Sequence, residues 1–249
     1  MKLLKDLEFV CLDTELTGLD PHLDRVMEVA ITRFTLTDVL EQWETLVDPQ
    51  HPISEGAQKV HHISLEMVQG KPKIGEVLPT IKKYLEGKWI VGHAVHFDLQ
   101  LLQKEAERLQ FPWAIENKFV IDTLRLARHY GDSPNNSLEM LAKHFNVEIG
   151  KTHRAMDDVL MNISVFRHLV HRFKTLDDIL KVLDHPIQMK YMPLGKYKGR
   201  LFADIPLAYL KWAVTMEFDQ DLLYSIKLEL KKRKKGNGFS QATNPFSEL

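Results

Sequence analysis

The first 47 residues contain three strand-like segments joined by short links, and this constrains the fold more than any other feature of the chain. Phe9 to Asp13 (F-V-C-L-D) is an apolar run of strand length that ends in polar residues. Arg25 to Phe34 is rich in β-branched residues and alternates in part, and Gln42 to Val47 is closed by Asp48-Pro49. Short links suit antiparallel neighbours, because a parallel pair needs a long crossover. From Ile74 the periodicity changes. Ile74, Val77, Leu78, Ile81 and Leu85 fall on one helical face, and Trp89-Ile90-Val91 reads as a strand stopped by Gly92. A helix follows over 97–109, a strand over 119–122, and helices over about 123–130, 137–145 and 154–172. Three strands followed by alternating helix and strand imply one α/β domain over a mixed sheet.

Near His185-Pro186 the character changes again. The stretch M-P-L-G-K-Y-K-G-R predicts a hairpin or tight loop, followed by helices over about 206–216 and 219–234. The reading is a main domain over 1–184, a small basic module over 187–235 and a disordered polar tail over 236–249. Net charge over all 249 residues is −1, which gives no global signal for nucleic acid. Its distribution is uneven: residues 186–235 hold 11 Lys and Arg against 5 acids, leaving the remainder net acidic. The one cysteine, Cys11, excludes an internal disulfide and a cysteine-based zinc site and fits a reducing cytosol. No apolar stretch of about 18 residues occurs, so a soluble, cytoplasmic protein with no membrane partner is expected.

Three acidic pieces carry the chemistry. Asp13-Thr14-Glu15 ends the first strand, and residues i and i+2 of a strand share a face, so two carboxylates can aim at one point. Such neighbours repel, and a divalent cation relieves the repulsion; oxygen donors suit Mg²⁺ or Mn²⁺. D-x-E is common, however, and a solvated strand end explains it equally. In Gly92-His93-Ala94-Val95-His96-Phe97-Asp98 the acid opens a helix, where it could equally serve the helix dipole; His93 and His96 read as structural or substrate-facing. His153-Arg154-Ala155-Met156-Asp157-Asp158 opens the long helix, and only one of the two aspartates, about 100° apart, can face a given site. His153 precedes that helix, and histidine is the side chain type best suited to act as a general base near neutral pH.

Taken in order, the three pieces resemble the motifs of the DEDDh 3′→5′ exonucleases, the superfamily of the bacterial DNA polymerase III proofreading (epsilon) subunit, over about residues 7–172. D-T-E-x-T-G-L matches Asp13 to Leu19, G-H-N-x-x-F-D matches Gly92 to Asp98 with Ala94 for asparagine, and H-R-A-x-x-D matches His153 to Asp158. Leu16 replaces a common threonine. The resemblance implies a ribonuclease-H-like mixed five-stranded sheet flanked by helices. It implies two Mg²⁺ or Mn²⁺ ions held by Asp13, Glu15, Asp98 and Asp158, with Asp13 bridging, Glu15 and Asp158 completing the nucleophile's metal, and Asp98 holding the second partly through water. The family spacing selects Asp158 over Asp157. His153 is then the general base. Thr14, Thr17, Gly18, Leu19, His61, His62, His93 and Phe97 are the implied substrate contacts, with Leu19 packing on a base. The expected reaction is release of nucleoside 5′-monophosphates from a single-stranded 3′ end, of DNA before RNA, in replication or repair. An exoribonuclease would use the same five residues, and a non-catalytic nucleic-acid-binding or polymerase-docking protein is disfavoured because all five are filled.

Residues 192–212 resemble a small module found after some exonuclease domains, including exodeoxyribonuclease X, through G-K-Y-K-G, Asp204-Ile205-Pro206, Tyr209 and Trp212. Lys196, Lys198 and Arg200 could neutralise phosphates and Tyr197 could stack on a base. The opposing reading makes the aromatics a small core and the lysines a solvated face. Gln241 to Phe246 resembles the hexapeptide by which bacterial proofreading subunits and polymerases grip the sliding clamp, so a polymerase or clamp partner is a further expectation, against an inert tail.

Overall fold

A computed structural model of the chain describes residues 2–130, 135–148 and 153–239. Strands β1 (Phe9–Leu16), β2 (Val26–Phe34) and β3 (Val39–Leu46) form an antiparallel meander, and β4 (Trp89–Gly92) and β5 (Val120–Asp122) add in parallel on the other side of β1. The order is β3-β2-β1-β4-β5, the mixed five-stranded sheet expected of a ribonuclease-H-like fold. The helices are α1 (Glu55–His61), α2 (Leu65–Val68), α3 (Ile74–Leu85), α4 (His96–Arg108), α5 (Thr123–Tyr130), α6 (Leu138–His144), α7 (Ala155–Val170), α8 (Leu176–Leu183), α9 (Leu207–Ala213) and α10 (Gln220–Phe239). No helix among the described residues is long and apolar enough to cross a membrane.

Alternation along β1 decides which layer each residue meets. Val10 and Leu12 share one core with Val77, Leu78 and Ile81 of α3 and Leu99, Leu101 and Leu102 of α4. Phe9 and Cys11 face the other way. Phe9, Phe34 and Phe166 of α7 form an aromatic triad with centroids 5.3–5.8 Å apart, and Cys11 Sγ lies 3.7 Å from the Val159 carbonyl. The sheet is therefore sandwiched, and the side of β1 that carries residues 9, 11, 13 and 15 looks at α7.

The chain falls into two compact units, Met1–Leu126 with Ser137–Val182, and Ala127–Asn136 with Leu183–Leu249. The second has its own core of Met189, Met192, Phe202, Ile205, Leu210, Ala213, Leu222 and Ile226. Within it Arg128 donates to Asp219 and Asp221, which ties the C-terminal end of α5 to the start of α10. The G-K-Y-K-G segment is a tight loop, closed by Met192 N–H to the Arg200 carbonyl and Gly199 N–H to the Met192 carbonyl, both 2.8 Å.

Three expectations need correction. β3 starts at Val39, before the segment the sequence marks, because it is an edge strand whose exposed residues do not alternate and which is held by pairing to β2. α1, α2 and α8 carry no clear signal in the sequence reading; α1 is polar and short, although Ser54 caps it by accepting from Ala57 N–H. The polar tail does not begin at Gly236, since α10 runs through Phe239 and glycines near a helix end cost only about 1 kcal/mol each. The clamp-like segment Gln241 to Phe246 lies outside the described residues.

Candidate active site

Asp13 and Glu15 project from the α7 side of β1, and Asp158 stands one turn into α7. Ligand oxygens of these three carboxylates lie within 4.8 Å of one another. Asp157, about 100° around the helix, is outside that group. Thr14 points to the opposite layer, where its hydroxyl and its N–H donate to Asp98 Oδ1 at 2.5 and 3.1 Å. Asp98 is thus pinned from the first turn of α4 against β1, and its charge is the largest Coulombic influence on Asp13.

Clustering sets the protonation. Burial, then Asp98, Asp158 and Glu15, push Asp13 well above the ordinary carboxyl range. Burial and the neighbouring Asp158 and Glu28 push Glu15 up to about 8. Burial raises Asp98 to about 7 despite the Thr14 hydrogen bonds, and Asp158 to about 6 despite the nearby His153. Acids arranged this way suit a cation, because buried neighbouring carboxylates resist full ionisation without one. All donors are carboxylate oxygens, which fit Mg²⁺ or Mn²⁺ rather than a thiolate-seeking metal.

His153 has φ +64°, a left-handed conformation that non-glycine residues seldom adopt. Its N–H donates to Asp158 Oδ2 at 3.1 Å, and its Nε2 is 3.4 Å from Glu139 Oε1 of α6. Histidine and aspartate are therefore fixed to each other through the backbone while a carboxylate holds the ring. The sequence reading missed Glu139 and a second device, Glu28. Glu28 lies opposite Glu15 across β1 and β2 and is 2% exposed. It accepts from Arg154 Nη2 at 2.6 Å and from Ala155 N–H at 3.1 Å, anchoring the start of α7 to the sheet. An acid inside the otherwise apolar run V-M-E-V-A-I was the available signal, because a buried carboxylate requires a partner.

Beside the carboxylates opens a cleft of about 740 Å³, a size that suits a small ligand, lined among others by Thr14, Glu15, Gly18, Leu19, His61, Phe97 and Asp98. Leu19 is 87% exposed at its edge. Gly18 cannot be replaced without shifting the loop, since a Cβ there would stand 2.5 Å from the Asp24 carboxylate. His61 is buried, its Nδ1 accepts from Ile63 N–H, and burial holds it below the usual histidine range, so the neutral ring carries its proton on Nε2. That Nε2 has no partner in hydrogen-bonding geometry, although the Leu16 carbonyl acts weakly on the ring.

Three of the expected substrate contacts, Thr17, His62 and His93, do not line this cleft. Thr17 is fully buried: its hydroxyl donates to Asp24 and accepts from Arg25 N–H, and its N–H and carbonyl bond to Arg25 and Ser54. These bonds build the loop. His62 closes α1 in a left-handed conformation and does not line the cleft. His93 is outside the cleft lining as well, with Nδ1 at 3.0 Å from Thr123 Oγ1. Among the C-terminal positions, Lys196, Lys198 and Arg200 are exposed, whereas the Tyr197 ring is half-buried against Tyr209.

Ala94, which departs from the family's asparagine, sits at φ +58° with its N–H bonded to Asp122 Oδ1. Asparagine and glycine adopt that conformation at lower cost than alanine, in line with the family's asparagine. Ala94→Gly and Ala94→Asn are expected to stabilise the protein by about 1 kcal/mol, read as a rise in Tm of roughly 3 °C in a thermal melt. An unchanged or lower Tm for both would show that the left-handed backbone carries no cost there.

Similarity to known proteins agrees with this site. The model of the family described as Exonuclease (RNase_T) matches residues 10–166. A second, of a proposed "quorum-sensing-regulated virulence factor" family, matches residues 181–245. The chain is 32% identical over 194 residues to a DNA polymerase III PolC-type from Caldanaerobacter subterraneus subsp. tengcongensis, covering 75% of the chain but only 14% of that much longer protein. Among solved structures, Exonuclease X in complex with 5′-overhanging duplex DNA is 24% identical with TM-score 0.56, covering 70% of this chain and 98% of the other. The zinc-bound E. coli ExoI–ssDNA complex is 22% identical with TM-score 0.62, covering 72% and 43%. These last two likenesses are of fold. With its acidic motifs gathered at one end of β1 and a family match spanning more than half its length, the chain belongs to the exonuclease family, within the DEDDh superfamily that its motifs resemble.

Proposed function

We propose that the protein is a metal-dependent 3′→5′ exonuclease that removes nucleoside 5′-monophosphates from the 3′ end of single-stranded DNA, in proofreading or repair. The observation that carries this reading is the convergence of Asp13, Glu15 and Asp158 from two distant segments, with Asp98 pinned beside them by Thr14. DNA is favoured over RNA because relatives at 31–32% identity are DNA polymerase III PolC-type proteins, and two of the solved neighbours were captured with DNA. Polarity follows the superfamily.

Asp13, Glu15 and Asp158 would hold the nucleophile's metal, and Asp13 and Asp98 the second. Two such ions supply charge stabilisation on the attacking and leaving oxygens and lower the pKa of the attacking water. The chain's own residues do the remainder. His153 accepts the water's proton, its ring steadied by Glu139. Glu28 and Arg154 keep the start of α7, and with it Asp158 and His153, in register with β1. His61 Nε2–H offers a hydrogen bond to the terminal nucleotide, and Leu19 and Phe97 offer apolar surface to its base. The module over 187–235 would meet phosphates through Lys196, Lys198 and Arg200.

The test is degradation of 5′-labelled single-stranded oligonucleotides of matched DNA and RNA sequence. With Mn²⁺ or Mg²⁺, DNA is expected to shorten one nucleotide at a time from its 3′ end, at least roughly tenfold faster than RNA, and EDTA is expected to stop the reaction. Faster loss of RNA would make the protein an exoribonuclease of the same superfamily. No hydrolysis of either by pure protein would return it to a binding or docking role.

A further inference from the structure

Three acids of the second unit are consumed inside it, while Asp184, Asp204 and Glu217 are exposed. Asp219 and Asp221 pair with Arg128 at 3.0 Å, Asp221 also accepts from Ile187 N–H, and Glu229 accepts from Arg233 Nε at 2.7 Å. Lys196, Lys198, Arg200 and Lys211 are exposed and make no ion pair with a described residue. With 11 Lys and Arg against 5 acids over residues 186–235, these pairings leave an excess of positive charge toward solvent.

An aromatic row begins beside two of these cations, Lys196 and Arg200. The Tyr197 ring meets Tyr209 edge-on at 4.7 Å, with Lys196 Nζ 5.7 Å and the Arg200 guanidinium 5.8 Å from its centroid. Gly195, at φ +72°, fixes this arrangement, since a Cβ there would come within 2.9 Å of Tyr209 Oη. Tyr197 and Tyr209 also pack on the core of the unit, so their faces are taken. Trp212, three residues along α9 from Tyr209 and 5.1 Å from its ring, ends the row and is 50% exposed. Packing usually covers most of a tryptophan, and here it is backed on one side by Tyr209 and flanked by Lys211.

We propose that Trp212, rather than Tyr197, is a base-stacking platform for single-stranded nucleic acid, with Lys196, Lys198, Arg200 and Lys211 meeting the phosphates. A supported indole with one open side takes any base, and unpaired cations around it complement a polyanion. This deepens the nucleic-acid reading of the second unit and rests on it. It does not depend on hydrolysis.

The test titrates the full chain, in EDTA, with an oligothymidylate of about 12 nucleotides, following tryptophan fluorescence and anisotropy of a labelled strand. Trp212→Ala is expected to weaken binding about tenfold, while Trp212→Phe stays within about threefold of the parent because the aromatic face survives. Hydrolysis of p-nitrophenyl thymidine 5′-monophosphate with Mn²⁺, which is too small to need the platform, is expected to be unchanged in both variants. Parental affinity in Trp212→Ala, or equal losses in the two variants, would overturn the proposal. So would absence of oligonucleotide binding by the parent, or a parental dimer that Trp212→Ala dissociates, which would assign the patch to a second copy. Trp212-dependent binding by a parent that hydrolyses nothing would sink only the exonuclease reading.

Discussion

Replacing Asp158 by asparagine is expected to lower the exonuclease rate by at least roughly 10³-fold, whereas Asp157→Asn stays within about threefold of the parent. The two residues adjoin in sequence and share the first turns of α7, so composition and helix stability change almost identically. What separates them is direction. Asp158 lies within 4.8 Å of Asp13 and Glu15 and receives the His153 N–H, and Asp157 does neither. A lost ligand removes several kcal/mol of transition-state charge stabilisation, and each 1.36 kcal/mol is tenfold in rate. Asp13→Ala should be as damaging, because the charges of Asp98, Asp158 and Glu15 all act on Asp13. Steady-state rates on a 5′-labelled oligonucleotide decide the matter. An inactive Asp157→Asn beside an active Asp158→Asn would mean that α7 presents the other face and that the register argued above is wrong.

Acidification is expected to expel the metal. Burial chiefly raises Glu15 to about 8, Asp98 to about 7 and Asp158 to about 6, and Asp13 is raised as well. Cation binding needs these groups ionised, so it releases protons and competes with them. Apparent Mn²⁺ affinity should fall by on the order of 100-fold between pH 8 and pH 6. Calorimetry in buffers of different ionisation enthalpy should show net proton release. The sign for stability follows from the same shifts. Folded-state values above the unfolded ones mean that the native chain binds more protons, so the metal-free protein is favoured at low pH and loses stability as pH rises from about 4 to about 8. Its Tm in EDTA should drop by about 5 °C or more across that window, and Mn²⁺ should restore it at the alkaline end. Affinity independent of pH, with no proton released, would show that these carboxyls do not hold the ion.

Much of this was legible before any coordinates. The change from period-two segments to helical periodicity gave the mixed sheet, because burial of one face forces that pattern on the sequence. The Asp13-Thr14-Glu15 pair was legible because strand geometry is local. The edge strand β3, the polar helix α1 and the extension of α10 were not, since their stability comes from neighbours rather than from their own periodicity.

By itself, the sequence determined the order of elements, the motifs with their spacing, and hence the candidates for metal and base. Only the tertiary structure decided how they meet. It set Asp158 rather than Asp157 beside β1, pinned Asp98 through Thr14, recruited Glu28 and Glu139 as supports, and removed Thr17, His62 and His93 from the cleft. The physical reason is range. Backbone periodicity is fixed within a few residues, whereas a buried ion pair or a carboxylate cluster joins groups more than a hundred positions apart, and its energy exists only once the core has brought them into contact.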